Sequence, residues 1–439
     1  MRPIFASVTA FIATAFLAVS CGAGYYHDMR GVTTDLRNDR PDLALEEFRS
    51  EFTDSTGRNR LLYLMELGNL MRLTGNYATA EHLLLQADRL SDQQRGVELG
   101  QEVGAFLTSD LALEFRGADY EKVMINYCLA VCYAAQGNME DALVECRRVN
   151  DKLRALNVSY EDNRNRYSDD AFIRYFMGIL YEKAGDLNNA LIAYRNSAAV
   201  YDSSYARYYG IPAPDRVRED ILRLSSMLGM QSVFQEYSSR WPDANWSGQG
   251  ADSSRGEVVV VLEAGLIPPR VERSHSFVVD DRVYRIALPA IPEKPRMRFT
   301  VELLSEGSRS TGFLAEDLAG IASKNLQDHA GRDIARAAAR LAVKAGISEA
   351  GEELVEELTE ENSGIAQLTG FVLSLFGAAS EQADLRAWLT LPSQIYVARL
   401  SVPSGSRPVR VTINGSTVYS NDSLEVEPGR IRLLFLRES

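Results

Sequence analysis

Histidine is scarce in this chain, four residues in 439, as are cysteine, also four, and tryptophan, three. His27, His82, His275 and His329 stand far from Cys128, Cys132 and Cys146, so no metal-ligand spacing emerges. There is no G-x-S-x-G, no phosphate-binding loop and no pair of histidines at metal spacing. The sequence therefore offers no enzyme motif, no catalytic or metal-binding residue and no cofactor. Basic charge is short as well: 47 Lys and Arg against 60 Asp and Glu give a formal charge of −13. That balance repels phosphate backbones and excludes nucleic acid as the expected partner. Long apolar runs are also missing. The two longest, residues 4–19 and 364–379, are too short to cross a bilayer comfortably.

What is present begins with an address. Met1-Arg2 gives a positive start, an apolar run follows, and the small Ser20 precedes Cys21. This is the order of a secretory signal over residues 1–20. With cysteine directly after the cut, LAVSC resembles a bacterial lipoprotein signal, in which the cysteine is lipidated and becomes the N-terminus. The usual leucine three places before the cysteine is Ala18 here, with Leu17 one position earlier. The other reading is an ordinary secretory cut near Ser20. Each buried CH₂ of an acyl anchor contributes about 0.8 kcal/mol, so lipid on Cys21 would hold the protein at a membrane. Gly22 follows, not Asp, which in enteric-type lipoproteins favours the outer membrane facing the periplasm. In a source with one membrane, the same anchor leaves the protein on its outer face.

Residues 21–245 read as helical pairs. LLYLMELGNLMRLTGNYATAEHLLLQADRL at 61–90 is similar to a tetratricopeptide repeat (TPR): Gly68 and Ala80 are small where two helices cross, and Gly75 ends the first helix. Units at 123–150 and 171–201 follow, with turn glycines Gly137 and Gly185. A partial unit carries Ala44 and Phe48, and a degenerate pair occupies 214–240. The glycine spacings are uneven, which predicts an irregular array with extra helices at about 93–115 and 158–170. The usual use of such an array is a concave surface for a protein or peptide. Cys128 and Cys132 share one helix face and Cys146 lies on the next helix. They read as small apolar residues in an interface, or as a disulfide from Cys146 to one of the pair.

Residues 246–256 are rich in Gly, Ser, Asp and Asn and read as a linker. From 257 to 439 the pattern is β, giving an α+β fold overall. EVVVVLEAG reads as a buried strand, with further strands at 283–290, 296–304, 394–402, 407–414 and 430–437 in a small antiparallel sheet or sandwich. A helical insert is expected at about 313–390. In it Arg332, Arg336, Arg340 and Lys344 form a basic stripe, able to pair with the acidic helix that follows or to grip an anionic headgroup.

Taken together, FRGADYEKVMINYCLAVCYAAQGNMEDALVECRRVN, GEVVVVLEAGLIPP, DIARAAARLAVK and ADLRAWLTLPSQIYVARLSVPSG resemble a family of uncharacterised bacterial lipoproteins. Its members pair a TPR-like first half with an α/β second half. The most specific stretch is Ala383, Asp384, Arg386, Trp388, Thr390, Leu391 and Pro392. The resemblance implies no catalytic residue. Genes of such proteins often lie beside those of lipoprotein activators of cell-wall synthases, which points at the envelope. An Asp384–Arg386 pair with Trp388 packed over it would fix the return from insert to sheet. The expectation is a lipid-anchored envelope adaptor that binds a protein or peptide through its helical repeats, in cell-wall or outer-membrane maintenance. The alternative is a lipoprotein that takes a glycan or small molecule between its two halves.

Overall fold

The computed structural model describes residues 21–52, 57–98, 114–159, 165–244, 254–279, 282–292, 297–329 and 383–438. The signal segment 1–20, most of the linker, the stripe Arg332, Arg336, Arg340 and Lys344, and the apolar run 364–379 lie outside them.

The first half is a succession of helices: α1 (Cys21–Asp28), α2 (Arg30–Arg37), α3 (Pro41–Glu51), α4 (Arg60–Leu73), α5 (Tyr77–Glu98), α6 (Asp119–Ala135) and α7 (Met139–Ser159). Then come α8 (Ala171–Lys183), α9 (Leu187–Val200), a π-helical turn (Tyr201–Tyr205), α10 (Ala206–Tyr209), α11 (Asp215–Met227) and α12 (Gln231–Arg240). Helices α2/α3, α4/α5, α6/α7, α8/α9 and α11/α12 pack as pairs. One device closes three of the turns. Gly75, Gly137 and Gly185 take φ of 78, 85 and 86°, and the next residue's N–H reaches back to Met71, Tyr133 and Tyr181 carbonyls at 2.9 Å. That next residue is Asn76, Asn138 or Asp186, whose side chain then accepts from the first turn of the second helix. The Gly-Asn/Asp dipeptide thus ends one helix and caps the next.

The extra helices are not found among the described residues. Residues 99–113 and 160–164 lie outside the described residues; helix α5 runs unbroken to Glu98, so 93–98 continue it, and residues 165–170 form a non-helical loop.

The second half has ten strands among the described residues. Sheet one has order β10-β1-β7-β6, built from β1 (Arg255–Leu266), β6 (Phe313–Glu316), β7 (Pro392–Pro403) and β10 (Ile431–Glu438). Sheet two has order β5-β4-β8-β9, from β4 (Val301–Ser305), β5 (Ser308–Thr311), β8 (Gly405–Ile413) and β9 (Ser416–Val426). β2 (Val271–Val279) and β3 (Arg282–Ala290) form a separate hairpin. The expected antiparallel sheet needs one correction: β10 runs parallel to β1, with Glu257 opposite Ile431. The insert also starts later than 313. Residues 313–316 pair with β7, and among the described residues of the insert 318–329, α13, are helical. Phe-Leu-Ala-Glu has helical propensity, but pairing with a buried strand overrides it.

Three layers result. Val258, Val260, Leu262 and Ala264 of β1 face sheet two, with Val301, Val411 and Leu424. Val259 and Val261 face the helices and share one core with Leu62, Tyr127, Phe176 and Trp388. β1 and β7 are buried on both faces, hence their continuous apolar runs.

Candidate interaction surfaces

Helices α4, α6 and α8, the first of each main pair, are buried on the side facing sheet one as well as on the side facing their partners. Their polar side chains meet the chain's own second half. Trp388 N donates to Glu121 Oε1 at 2.8 Å, Leu389 N to Glu66 Oε1 at 2.7 Å, and Thr390 N to Glu66 Oε2 at 3.2 Å. Asn69 donates to the Thr390 carbonyl at 2.9 Å. Residues 388–390 are therefore held by their main chain, as a bound peptide would be. Tyr25 from α1 adds its hydroxyl to Glu66 at 2.9 Å. Burial pushes the Glu66 carboxyl up to about 7, against the pull of the donors from Thr390, Leu389 and Tyr25.

Along the same seam the charges are paired. Arg72 meets Glu263 at 2.8 Å, and Tyr127 donates to Glu263 at 3.0 Å. Further on, the fully buried Arg399 meets Asp220 and Glu182 at 3.1 Å, and also Glu257. Burial alone would raise Asp220 and Glu257. The surrounding Arg216, Arg399 and Arg223 win, holding Asp220 below the usual carboxylate range and Glu257 down to about 2. Next to β6, Asp170 accepts from Tyr167 at 2.6 Å and Glu316 from Tyr205 at 3.0 Å. Burial raises both carboxyls, Asp170 to about 6 with the Asp169 charge adding to it, and the Asp170 charge pushes Glu316 further up.

Among the described residues, the junction where the alternative reading places a ligand is filled by Glu66, Trp388 and Arg399, each buried. A cavity of about 10 Å³ lined by Ser91, Asp92, Lys122, Lys152 and Leu156 has room for about one water. Asp384 and Arg386 pair at 2.6 Å, and Arg386 also donates to Asn59 at 2.7 Å. The ring over the guanidinium is Phe115, 5.7 Å away, and not Trp388, which instead donates its indole N–H to Thr390. Cys128, Cys132 and Cys146 are free and buried, and burial pushes the Cys128 and Cys132 thiols up to about 12. They are packing residues of α6 and α7. Cys21 opens α1.

On the opposite side, the second helices carry solvent-facing residues at matching places. His82, Val144 and Ile192 each lie seven residues after a turn glycine, and all three are exposed, Val144 at 40 % and Ile192 at 53 %. Sequence reasoning missed this row, although the fixed offset from Gly75, Gly137 and Gly185 is readable.

No protein-family model matches the chain, and no curated protein matches it. Among solved structures it is similar to the TPR-like repeats of a candidate kinesin light chain from Podosopora anserina. That match has 14 % identity and TM-score 0.33, covering 51 % of this chain and 96 % of that one. BtubC from P. vanneervenii matches at 12 % identity and TM-score 0.34, over 53 % and 84 %. The TPR2AB domain of yeast Sti1, solved with pHSP90, matches at 13 % and TM-score 0.21, over 51 % and 78 %. The likeness is confined to a stack of helical pairs in about half of the chain.

Proposed function

We propose that this protein is a lipid-anchored scaffold of the cell envelope, held by Cys21 and engaging a protein partner through the outer side of its helical array. The observation that carries this reading is the occupied inner side. The Glu66, Asn69 and Glu121 side chains spend their hydrogen bonds on the main chain of residues 388–390 of the same chain. A partner is left the outer row of His82, Val144 and Ile192, where apolar side chains stand in solvent on adjacent pairs. The lipoprotein signal supports an envelope location, the outer membrane facing the periplasm. Work in cell-wall or outer-membrane maintenance is the role this reading favours.

The test is a photo-crosslinking residue at position 144 or 192 in the lipidated protein in cells, followed by mass spectrometry. One dominant envelope protein is expected from both positions and from position 82, and with the crosslinker at 82, Val144→Glu with Ile192→Glu should reduce its capture at least about tenfold, the loss of roughly 1.4 kcal/mol. Capture unaffected by that double change would remove the outer row from the reading.

A further inference from the structure

The place of α1 in the fold fixes how an anchor on Cys21 could orient the molecule. Tyr25 is already buried, 6 % exposed, with its hydroxyl on Glu66 and its ring 5.7 Å from Phe52. Only Gly22, Ala23 and Gly24 separate it from Cys21, and all lie in the same helix. At 1.5 Å per residue, Cys21 is about 6 Å along the helix from Tyr25. Fully extended, those four residues would span about 14 Å. A compact chain of this length has a radius of gyration of about 22 Å, so the tether is shorter than the body it holds.

The surroundings of Tyr25 form one connected end of the molecule. Glu66 leads to Leu389, and Trp388 beside it leads to Glu121. Glu121 leads to Arg270 at 3.5 Å, at the root of the β2–β3 hairpin. Two positions further on, Glu272 accepts from Ala383 N at 3.3 Å. Arg386 leads back to Asn59, and Phe115 N donates to the Arg58 carbonyl at 2.7 Å. This end carries exposed Arg58, Arg60 and Arg273 on a chain whose total charge is −13; Asp28 and Glu114 are exposed carboxylates there.

We infer that this end, residues 58–60, 114–118, 270–273 and 383–386, lies against the membrane and meets anionic headgroups through Arg58, Arg60 and Arg273. The inference rests on acylation of Cys21. The hairpin then leaves the body at the membrane surface, while β8 and β9 of sheet two, beyond sheet one, are turned to solvent.

The experiment is amide hydrogen exchange on the full mature lipoprotein in phosphatidylethanolamine vesicles containing about one quarter phosphatidylglycerol, against the same protein in detergent. Exchange should slow several-fold at 58–60, 114–118, 270–273 and 383–386, and not at 405–426. A second protein carries a Gly/Ser linker of about 20 residues after Gly22, with a root-mean-square span of about 25 Å. It should float with the vesicles and lose that protection. Arg58→Glu, Arg60→Glu and Arg273→Glu together should cut the protection at least about threefold. Protection centred on 405–426, or unchanged by the linker in a protein that floats, overturns the orientation alone. A protein whose N-terminal peptide carries no acyl mass and which does not float overturns the anchor, and this inference with it.

Discussion

A Cβ built on Gly178 would come within 2.2 Å of the Tyr194 ring, and that ring has nowhere to go. Tyr194 is fully buried and lies tilted against Tyr175, ring centroids 5.0 Å apart; its hydroxyl donates to Glu182 at 2.8 Å and accepts from Arg399 at 2.9 Å. Displacing it breaks the charge cluster that joins the helices to sheet one. Gly178→Ala should therefore cost about 2–3 kcal/mol, at the upper end of overpacking effects, in chemical denaturation. Gly68 is a milder case, since its added Cβ would meet Leu84 Cγ at 2.8 Å, an apolar side chain with no hydrogen bond to lose. A Gly178→Ala protein as stable as the parent would show that Tyr194 can shift without disturbing Arg399. The small residues were readable in the sequence because close helix crossings demand them. The polar partner of Tyr194 was not, because Arg399 stands 205 residues away.

At the scale of elements, β6 is tied to the helices by the Asp170–Glu316 pair. Asp170 also caps α8, accepting from Ile173 N at 2.7 Å, and the π-helical turn brings Tyr205 to Glu316. Glu316 Oε1 is buried without a hydrogen-bond partner, so burial and the Asp170 charge both favour the protonated form of Glu316. Both carboxyls are raised in the folded state, so the folded state binds more protons than the unfolded one. The pair's contribution is full below the unfolded carboxylate value of about 4 and is lost as pH rises through about 6 and beyond. Thermal melts should show Tm falling across that window. Glu316→Gln, which keeps a donor permanently, should flatten that fall; an unchanged slope would assign the pH dependence to other carboxyls such as Glu66. Elements themselves were legible where local chemistry dictates them. The Gly-Asn/Asp turns and the doubly buried β1 are examples. The polar β9 and short β6 were hidden because their pairing partners, not their own residues, make them strands. The capture of residues 388–390 was hidden for the same reason. Its contacts join residues 267 and 323 positions apart.

For the whole molecule, the sequence divides cleanly at residues 246–256 while the packing does not. Leu62, Tyr127 and Phe176 share one core with Val259, Ile395 and Trp388. The polar groups follow the same logic, since Glu66, Arg72, Glu121 and Asp220 all find partners beyond the linker. Removing the second half would leave these charges on an exposed apolar face, with α4, α6 and α8 stripped on one side. A buried pair broken in this way loses several kcal/mol, comparable with the whole stability of a domain. The helical half, residues 21–244 made alone, should therefore lack a cooperative thermal transition and bind a hydrophobic dye. The full mature chain should melt in one step, coincident by near- and far-ultraviolet circular dichroism. Adding residues 254–439 to the fragment should restore that transition, because the complementary face returns with them. A fragment that melts cooperatively near the parent's Tm would mean that the helical pairs are stable by themselves. The seam would then be a docking contact that a partner could open, and the inner side of the array would return as a binding surface.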